Sequence, residues 1–233
     1  MKALILAGGY GKRLRPITEN KPKVLVEIAE KPILEWQIEW LKTFGFKDIV
    51  ICIGYLGEKI KNLISNGEKF GVNIEYSIER SALGTGGAIK NAEPLLASED
   101  RFIVVNGDII TNLNPKLLSK ACKNVIGVIA LVPLRSPYGI VDVDSSNLIK
   151  KFVEKPVIPG FWINAGVYCL SNEIFDYLPE KGNIEFETFP RLAEERKLRA
   201  VKFSDVFWKA IDTYKDLEEA DRILRSEKLR FSF

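Results

Sequence analysis

"KALILAGGYGKRLRPITENKPK", residues 2 to 23, decides the fold. An apolar run, Ala3 to Ala7, breaks abruptly into Gly8, Gly9 and Gly11. Five Lys or Arg residues then crowd into positions 12 to 23. The apolar run reads as a buried strand. A simple turn needs fewer glycines, and a solvated surface needs no such order. Backbone without Cβ atoms lets N–H groups converge on phosphate oxygens. Arg13 and Lys23 would neutralise the charge. The loop is not a Walker A sequence, because the spaced Gly-Lys-Ser/Thr ending is missing, and it does not match G-x-G-x-x-G. The plain alternative is a glycine turn followed by solvated cations.

Outward from this stretch, short apolar runs alternate with longer amphipathic ones. "ILEWQIEWLKTF" (33–44) places Ile33, Trp36, Trp40, Leu41 and Phe44 on one side at helical spacing. "DIVICIG" (48–54) reads as a second buried strand. "YLGEKIKNLI" (55–64) reads as a helix with Leu56, Ile60, Leu63 and Ile64 apolar. "VNIEYSI" (72–78) alternates like a strand, and "RFIVVNGD" (101–108) is an apolar strand with a polar tip. This order predicts an α/β fold: a Rossmann-like three-layer sandwich on a mostly parallel, mixed central sheet. After about residue 125 the runs "VIGVIALV", "YGIVDVD", "LIKKFVEK" and "FWINAGVYCL" follow one another with little helix between. They predict a small β-rich portion on the ligand-facing side of one continuous domain. The chain returns to helix at "TFPRLAEERK" (188–197) and "YKDLEEADRILRSEKL" (214–229). With no repeat or linker, 1–233 reads as a single domain. Residues 1–124 and 125–233 read as two halves of that domain, the first alternating strand and helix, the second mainly the β-rich portion with the C-terminal helices.

Composition narrows the class. With 46% hydrophobic and 28% charged residues, disorder and fibrous folds fit poorly. A net charge of +3 is too small to point to nucleic acid, and no element interleaves cations with aromatics. The five apolar residues ahead of the glycines are too short for an export signal. No run approaches the roughly 20 apolar residues that cross a bilayer. Cys52, Cys122 and Cys169 are widely spaced without a C-x-x-C pattern, which suits buried thiols in a reducing cytoplasm. Histidine is absent, which removes every mechanism that needs an imidazole base.

In an open parallel sheet, ligands gather beyond the carboxyl ends of the strands, and the unusual residues fall there. Asp108 ends "VVNGD" (104–108), where it can bind a hard cation or simply turn the chain. Asp212 in "FWKAIDT" (207–213) can cap the last helix, but Thr213 with Asp216 three residues on is an equally good cap and would free it. Two carboxylates from separate loops would suit Mg²⁺ held with substrate phosphates. In the β-rich portion, Glu154 could bind sugar hydroxyls, Lys155 a phosphate and Gly139 a ligand through its backbone. Each of these also reads as a strand-end charge or a hairpin turn. "SALGTGGA" (81–88) is a second glycine-rich loop entering a helix, suited to closing over a flat base.

Taken in order, "LAGGYGKRLRPIT…KPK", "LGTGGA", "VVNGD", "YGIV", "VEKP", "INAGVY" and "FWKAIDTYKDLEEA" resemble the sugar-1-phosphate nucleotidyltransferases over almost the whole chain. The look is closest to the mannose- and heptose-1-phosphate guanylyltransferases. The resemblance implies a reaction joining a sugar 1-phosphate to a nucleoside triphosphate with release of pyrophosphate. It implies Leu6, Ala7, Gly8, Gly9, Gly11, Lys12, Arg13, Lys23, Glu79, Gly84 and Thr85 around the nucleotide. Arg13 and Lys23 would act on the phosphates and, with Asp108, carry catalysis. Asp108 and Asp212 would bind Mg²⁺, Lys155 the sugar phosphate, and Gly139, Glu154 and Asn164 the sugar. Two departures stand out: Lys12 replaces the usual Thr, and "AIDT" lacks the glycine of the common D-x-G-T form. With its last residue at Phe233, the sequence is not expected to carry the C-terminal left-handed β-helix of many relatives.

Glu79 lies five residues before Gly84, where the family reads the base edge. A carboxylate can accept from guanine N1–H and N2–H₂ together, which uracil and thymine cannot offer. GTP is therefore the favoured donor. UTP, dTTP or CTP with glucose 1-phosphate stays open, as does a catalytically silent protein that binds nucleotide sugars. Phe161, Trp162 and the terminal "LRFSF" (229–233) are apolar enough to leave room for a homo-oligomer.

Overall fold

The computed structural model describes residues 1–226. Its first strand, β1 (Ala3–Leu6), is the axis of the fold. A short β2 (Glu27–Ile28) and β3 (Lys31–Pro32) pair antiparallel and lead into helix α1 (Ile33–Thr43). Then come β4 (Asp48–Ile53), α2 (Gly57–Ile64), β5 (Asn73–Ile78), α3 (Gly84–Asn91), α4 (Glu93–Leu96) and β6 (Arg101–Asn106). The second half adds β7 (Ile109–Thr111), α5 (Lys116–Ala121), β8 (Gly127–Arg135), β9 (Ile140–Val143), β10 (Ile149–Val153) and the long β11 (Val157–Ser171). It ends with α6 (Thr188–Glu194), β12 (Leu198–Lys202), β13 (Trp208–Ala210) and α7 (Tyr214–Arg225).

Seven strands form one sheet in the order β12-β8-β11-β6-β1-β4-β5. All run the same way except β11, which is antiparallel to both β6 and β8. Strand residues alternate between the two faces. Ala3, Ile5, Ile49, Ile51, Ile103 and Val105 pack on one side, while Leu4, Val50, Cys52, Phe102 and Val104 pack on the other. Leu4, Ile5 and Ile103 have no exposed surface. Burial of such side chains contributes about 1.5–3 kcal/mol each. Both faces are covered, which is why these strands are apolar throughout.

A third cluster gathers Leu14, Val26, Ile28, Ile33, Ile110, Ile211 and Ala220. It joins the loop after β1 to α1, β7 and α7. The segments on either side of the cavity described below thus share a core.

Several elements depart from the sequence reading. The buried residues of α1 include Ile33, Trp40 and Leu41 as expected, but also Leu34, Gln37 and Ile38, so that 34, 37, 38 and 41 form the i, i+3, i+4, i+7 face. Trp36 and Phe44 are only half-buried. Gln37 hides this face from a hydrophobicity count; it is buried because its amide donates to the carbonyls of Asn106 (2.9 Å) and Ile109 (2.8 Å). Leu56 precedes α2 in the left-handed region (φ 54°), and Leu63 is exposed.

The β-rich portion is smaller than the run of sequence suggests. Strands β8 and β11 belong to the main sheet, and only the β9–β10 hairpin stands apart. Phe161 is exposed and Trp162 half-buried, while "LRFSF" lies outside the described residues. The glycines of "LGTGGA" sit inside α3 rather than in a loop before it. The N–H groups of Gly86 and Gly87 donate to the Gly182 carbonyl at 3.0 and 3.2 Å, satisfying first-turn donors. A Cβ on Gly87 would come within 2.7 Å of the Glu180 carbonyl oxygen. Close packing against residues 180–184 explains the glycine there.

Candidate active site

The chain moves from β1 to β4 and β5 on one side, then returns to β6 on the other side of β1. The crevice at the carboxyl ends of β1 and β6 is therefore a topological switch point, where ligands bind in open α/β sheets. A cavity of about 390 Å³ opens there. Leu6, Ala7, Gly8, Gly9, Gly11, Lys12, Arg13, Lys23, Glu79, Gly84 and Thr85 all line it, together with Asp108 and Asp212. The residues expected around a nucleotide and its metal thus come together in one place.

The glycine loop is held from outside. Gly11 adopts φ +60° and turns the chain into a short helical turn over Lys12–Leu14. Its carbonyl accepts from the Thr18 hydroxyl at 2.8 Å. Leu14 is buried in the third cluster, so Lys12 and Arg13 are left at the surface of the loop. Tyr55 anchors the following segment by donating its phenol proton to the Glu19 carbonyl at 2.7 Å.

Charge is concentrated where the loop meets β6. The Lys23 ammonium is mostly buried and lies 2.7 Å from Asp108 Oδ2 and 2.8 Å from Asp212 Oδ1. The exposed Arg13 guanidinium lies 2.8 Å from the same Asp212 oxygen. Asp212 is free for this because Thr213 caps α7. The Thr213 side chain accepts from Asp216 N–H while the Asp216 carboxylate accepts from the Thr213 N–H, a reciprocal capping box. The Asp216 carboxylate also accepts from the Asp212 N–H at 3.3 Å. Burial works against its charge, but Lys209 and Thr213 hold the Asp216 carboxyl below its ordinary range. Among the described residues no group of three or more acidic, Cys or His side chains gathers into a metal cage. Two carboxylates facing one cation instead fit Mg²⁺, which is commonly held by one or two carboxylates with substrate phosphates completing its shell.

Glu79 stands apart from these cations. Its N–H donates to the Ile53 carbonyl at 2.8 Å, which continues the β4–β5 pairing and aims the side chain into the cavity. The carboxylate lies against Gly8 so closely that a Cβ there would sit 2.2 Å from Glu79 Oε1. Burial pushes the carboxyl upward, opposed by a long bond from the Leu83 N–H. A desolvated acceptor with so little compensation is suited to paired donors on a ligand.

The residues expected to hold the sugar phosphate do not line this cavity. Gly139 and Glu154 lie together, since a Cβ on Gly139 would be 2.9 Å from Glu154 Oε2. Lys155 has left-handed backbone (φ 46°), and its carbonyl accepts from Arg135 at 3.1 Å. Asn164 donates to the Tyr168 hydroxyl at 2.9 Å. Sequence reading overlooked other lining residues, among them Tyr10, Asn106 and Asn183. Asn106 sits within the "VVNGD" stretch that drew notice for Asp108 alone; Asn183 has no local signal.

Residues 2–227 match the family model described as "Nucleotidyl transferase". The chain belongs to the nucleotidyl transferase family. It is 41% identical over 226 residues to a mannose-1-phosphate guanyltransferase of Saccharomyces cerevisiae and 40% identical to mannose-1-phosphate guanyltransferase 2 of Candida glabrata. Both alignments cover 93% of this chain and 62% of the relative, so the chain spans less than two thirds of their length. Crystal structures of HddC from Yersinia pseudotuberculosis are 29% identical and cover 96% of this chain and 99% of HddC. Their TM-scores are 0.77 and, for the complex with GMP-PN, 0.76. As a nucleotidyl transferase, the chain has the α/β architecture of these structures. Among the described residues no helix is long and apolar enough to cross a membrane.

Proposed function

We propose that the protein transfers a guanylyl group from GTP to a sugar 1-phosphate, mannose 1-phosphate or a close relative, and releases pyrophosphate. The observation that carries this reading is the cavity itself. One wall joins the glycine loop to Lys23, Arg13, Asp108 and Asp212, and Glu79 is presented to the same space. The names of the S. cerevisiae and C. glabrata relatives support the base and the sugar. Three buried free cysteines accord with a cytoplasmic location.

The chemistry asks little of an acid or base. A phosphate oxygen of the sugar 1-phosphate, ionised near neutral pH, attacks the α-phosphorus. A new P–O bond forms there as the bond to pyrophosphate breaks. Catalysis then rests on alignment and charge neutralisation. Holding the two anions in line accounts for about 7–11 kcal/mol of barrier lowering in favourable cases. Arg13 would hold the outer phosphates and Lys23 the transferring one, while the backbone at Gly8, Gly9 and Gly11 admits the triphosphate. Lys155 would hold the sugar phosphate, and Gly139, Glu154 and Asn164 the sugar. Asp108 and Asp212 would hold Mg²⁺, which when bound neutralises phosphate charge. Glu79 would accept from guanine N1–H and N2–H₂.

The test is pyrophosphate release with Mg²⁺ over a grid of GTP, UTP, dTTP, CTP and ATP against several sugar 1-phosphates. Release confined to GTP and strongest with a manno-configured sugar is expected. Release with another triphosphate would discard the role of Glu79 but keep the reaction. Silence across the grid, from folded protein, would overturn the reading in favour of a binding protein.

A further inference from the structure

A chain of part-buried polar contacts runs beside the cavity, centred on the fully buried Tyr168. This residue has no exposed surface, and its ring packs edge-on against Phe189 at 5.0 Å between centroids. It lies on β11, opposite Val104 of β6. Its hydroxyl accepts from the Asn164 amide at 2.9 Å, and the Asn106 side chain at the end of β6 also faces it. The phenol has one proton, and the acceptor within reach is Glu185 Oε1 at 3.5 Å. The other Glu185 oxygen accepts from the Thr85 hydroxyl at 2.5 Å. That hydroxyl in turn accepts from the Ile184 N–H at 3.0 Å. A carboxylate only accepts, so it sets the direction of every bond: Asn164 to Tyr168, Tyr168 to Glu185, and Thr85 to Glu185.

The Asn164 amide is pinned from its other end as well. Its oxygen accepts from the Gly166 N–H at 2.8 Å. A backbone N–H can only donate, so the amide oxygen must face Gly166 and the nitrogen must face the phenol. Of the two amide N–H bonds, one is used by Tyr168, which leaves the other for a ligand at this exposed position of β11.

We propose that Tyr168 is a positioning residue for the sugar 1-phosphate: its hydroxyl completes, with the Gly166 N–H, a two-point hold on the Asn164 amide so that an N–H, not the carbonyl oxygen, is presented to the sugar. This rests on the sugar-nucleotidyl-transfer reading above. Burial pushes the phenol far up from its ordinary range. It therefore stays protonated and keeps donating to Glu185 across the working pH range. Without the hydroxyl, one of the two restraints on the amide is gone, only the Gly166 N–H still holds it, and the outward donor is held less firmly.

The experiment is a double-mutant cycle on pyrophosphate release with GTP and mannose 1-phosphate, using Tyr168→Phe, Asn164→Ala and the pair. Tyr168→Phe keeps the ring against Phe189. The expected result is a rise of about tenfold in KM for the sugar phosphate, with KM for GTP within about twofold. Added to Asn164→Ala, it should raise that KM no further, because both changes remove the same donor. An unchanged sugar KM with only a lower Tm would overturn the proposal, as would additive effects or an equal rise in KM for GTP. If Tyr168→Phe does not fold, Asn164→Asp keeps the Gly166 bond and replaces the outward N–H with oxygen. A sugar KM that stays at the wild-type value in this variant would also overturn it. Wild-type protein that turns over normally beside an unaffected Tyr168→Phe sinks this proposal alone. Folded wild type that releases no pyrophosphate with any pair sinks the underlying reaction as well.

Discussion

At the scale of single residues, Asp108, Asp212 and Glu79 separate the competing readings. Asp108→Asn and Asp212→Asn each remove a negative charge facing Lys23 and the proposed metal site. Each should abolish nearly all pyrophosphate release while the far-UV CD spectrum is kept. A binding protein would instead retain its nucleotide affinity with no turnover to lose. Glu79→Gln should lower kcat/KM for GTP by about 10- to 100-fold, the range for hydrogen bonds to a charged group. The same change should raise the Tm of the ligand-free protein. Burial raises the Glu79 carboxyl, so the folded state binds this proton more tightly than the unfolded one. Folding stability from this group is therefore lost as pH rises through the ordinary glutamate range to the raised value. A neutral glutamine removes that loss, and thermal melts of both proteins at neutral and acid pH would show it. A Glu79→Gln protein less stable than wild type at neutral pH would contradict the desolvation argument.

At the scale of elements, the start of α7 and the start of α3 serve the site from outside. Thr213→Ala breaks the capping box and should cost about 1 kcal/mol. In a chain of this size that is a fall of about 2–4 °C in Tm. Turnover should fall further than stability alone explains, because the same cap fixes the backbone beside Asp212; Thr213→Ser should spare both. Gly87→Ala sets two effects against each other. Helix propensity favours alanine by up to about 1 kcal/mol, but the new Cβ would meet the Glu180 carbonyl oxygen at 2.7 Å. Overpacking of this kind costs about 1–3 kcal/mol. The backbone oxygen has little freedom to yield, so the melt should shift downward. An upward shift would show that the 180–184 segment adjusts easily.

At the scale of the whole molecule, a bound nucleotide would touch parts of the chain that are far apart in sequence and converge at the cavity. GTP with Mg²⁺ at about 100 times its Kd should add about 2.7 kcal/mol to folding stability by mass action. That corresponds to a rise of about 5–10 °C in Tm, measurable by calorimetry against UTP and CTP at equal concentration. Chelation of the metal should abolish turnover, and restoring Mg²⁺ should recover it. Turnover that survives exhaustive chelation would remove the metal role proposed for Asp108 and Asp212.

The sequence alone determined the class of fold and picked out most of the residues that line the cavity. Apolar runs buried on both faces, amphipathic helices between them and a glycine loop with cations behind it are local patterns, carried by side-chain periodicity and backbone freedom. Thr213 and Asp216 could be read as a cap for the same reason. Only the tertiary structure decided what meets across long separations. Lys23 pairs with Asp108 and Asp212, which lie 85 and 189 positions away in the chain. It also decided that β11 runs against its neighbours, that Gln37 is a core residue, and that the "LGTGGA" glycines serve close packing. The link from Asn164 through Tyr168 and Glu185 to Thr85 belongs with these. A tyrosine in an apolar strand and a glutamate in a polar loop look ordinary in sequence, because hydrogen-bond direction exists only once the partners are in place.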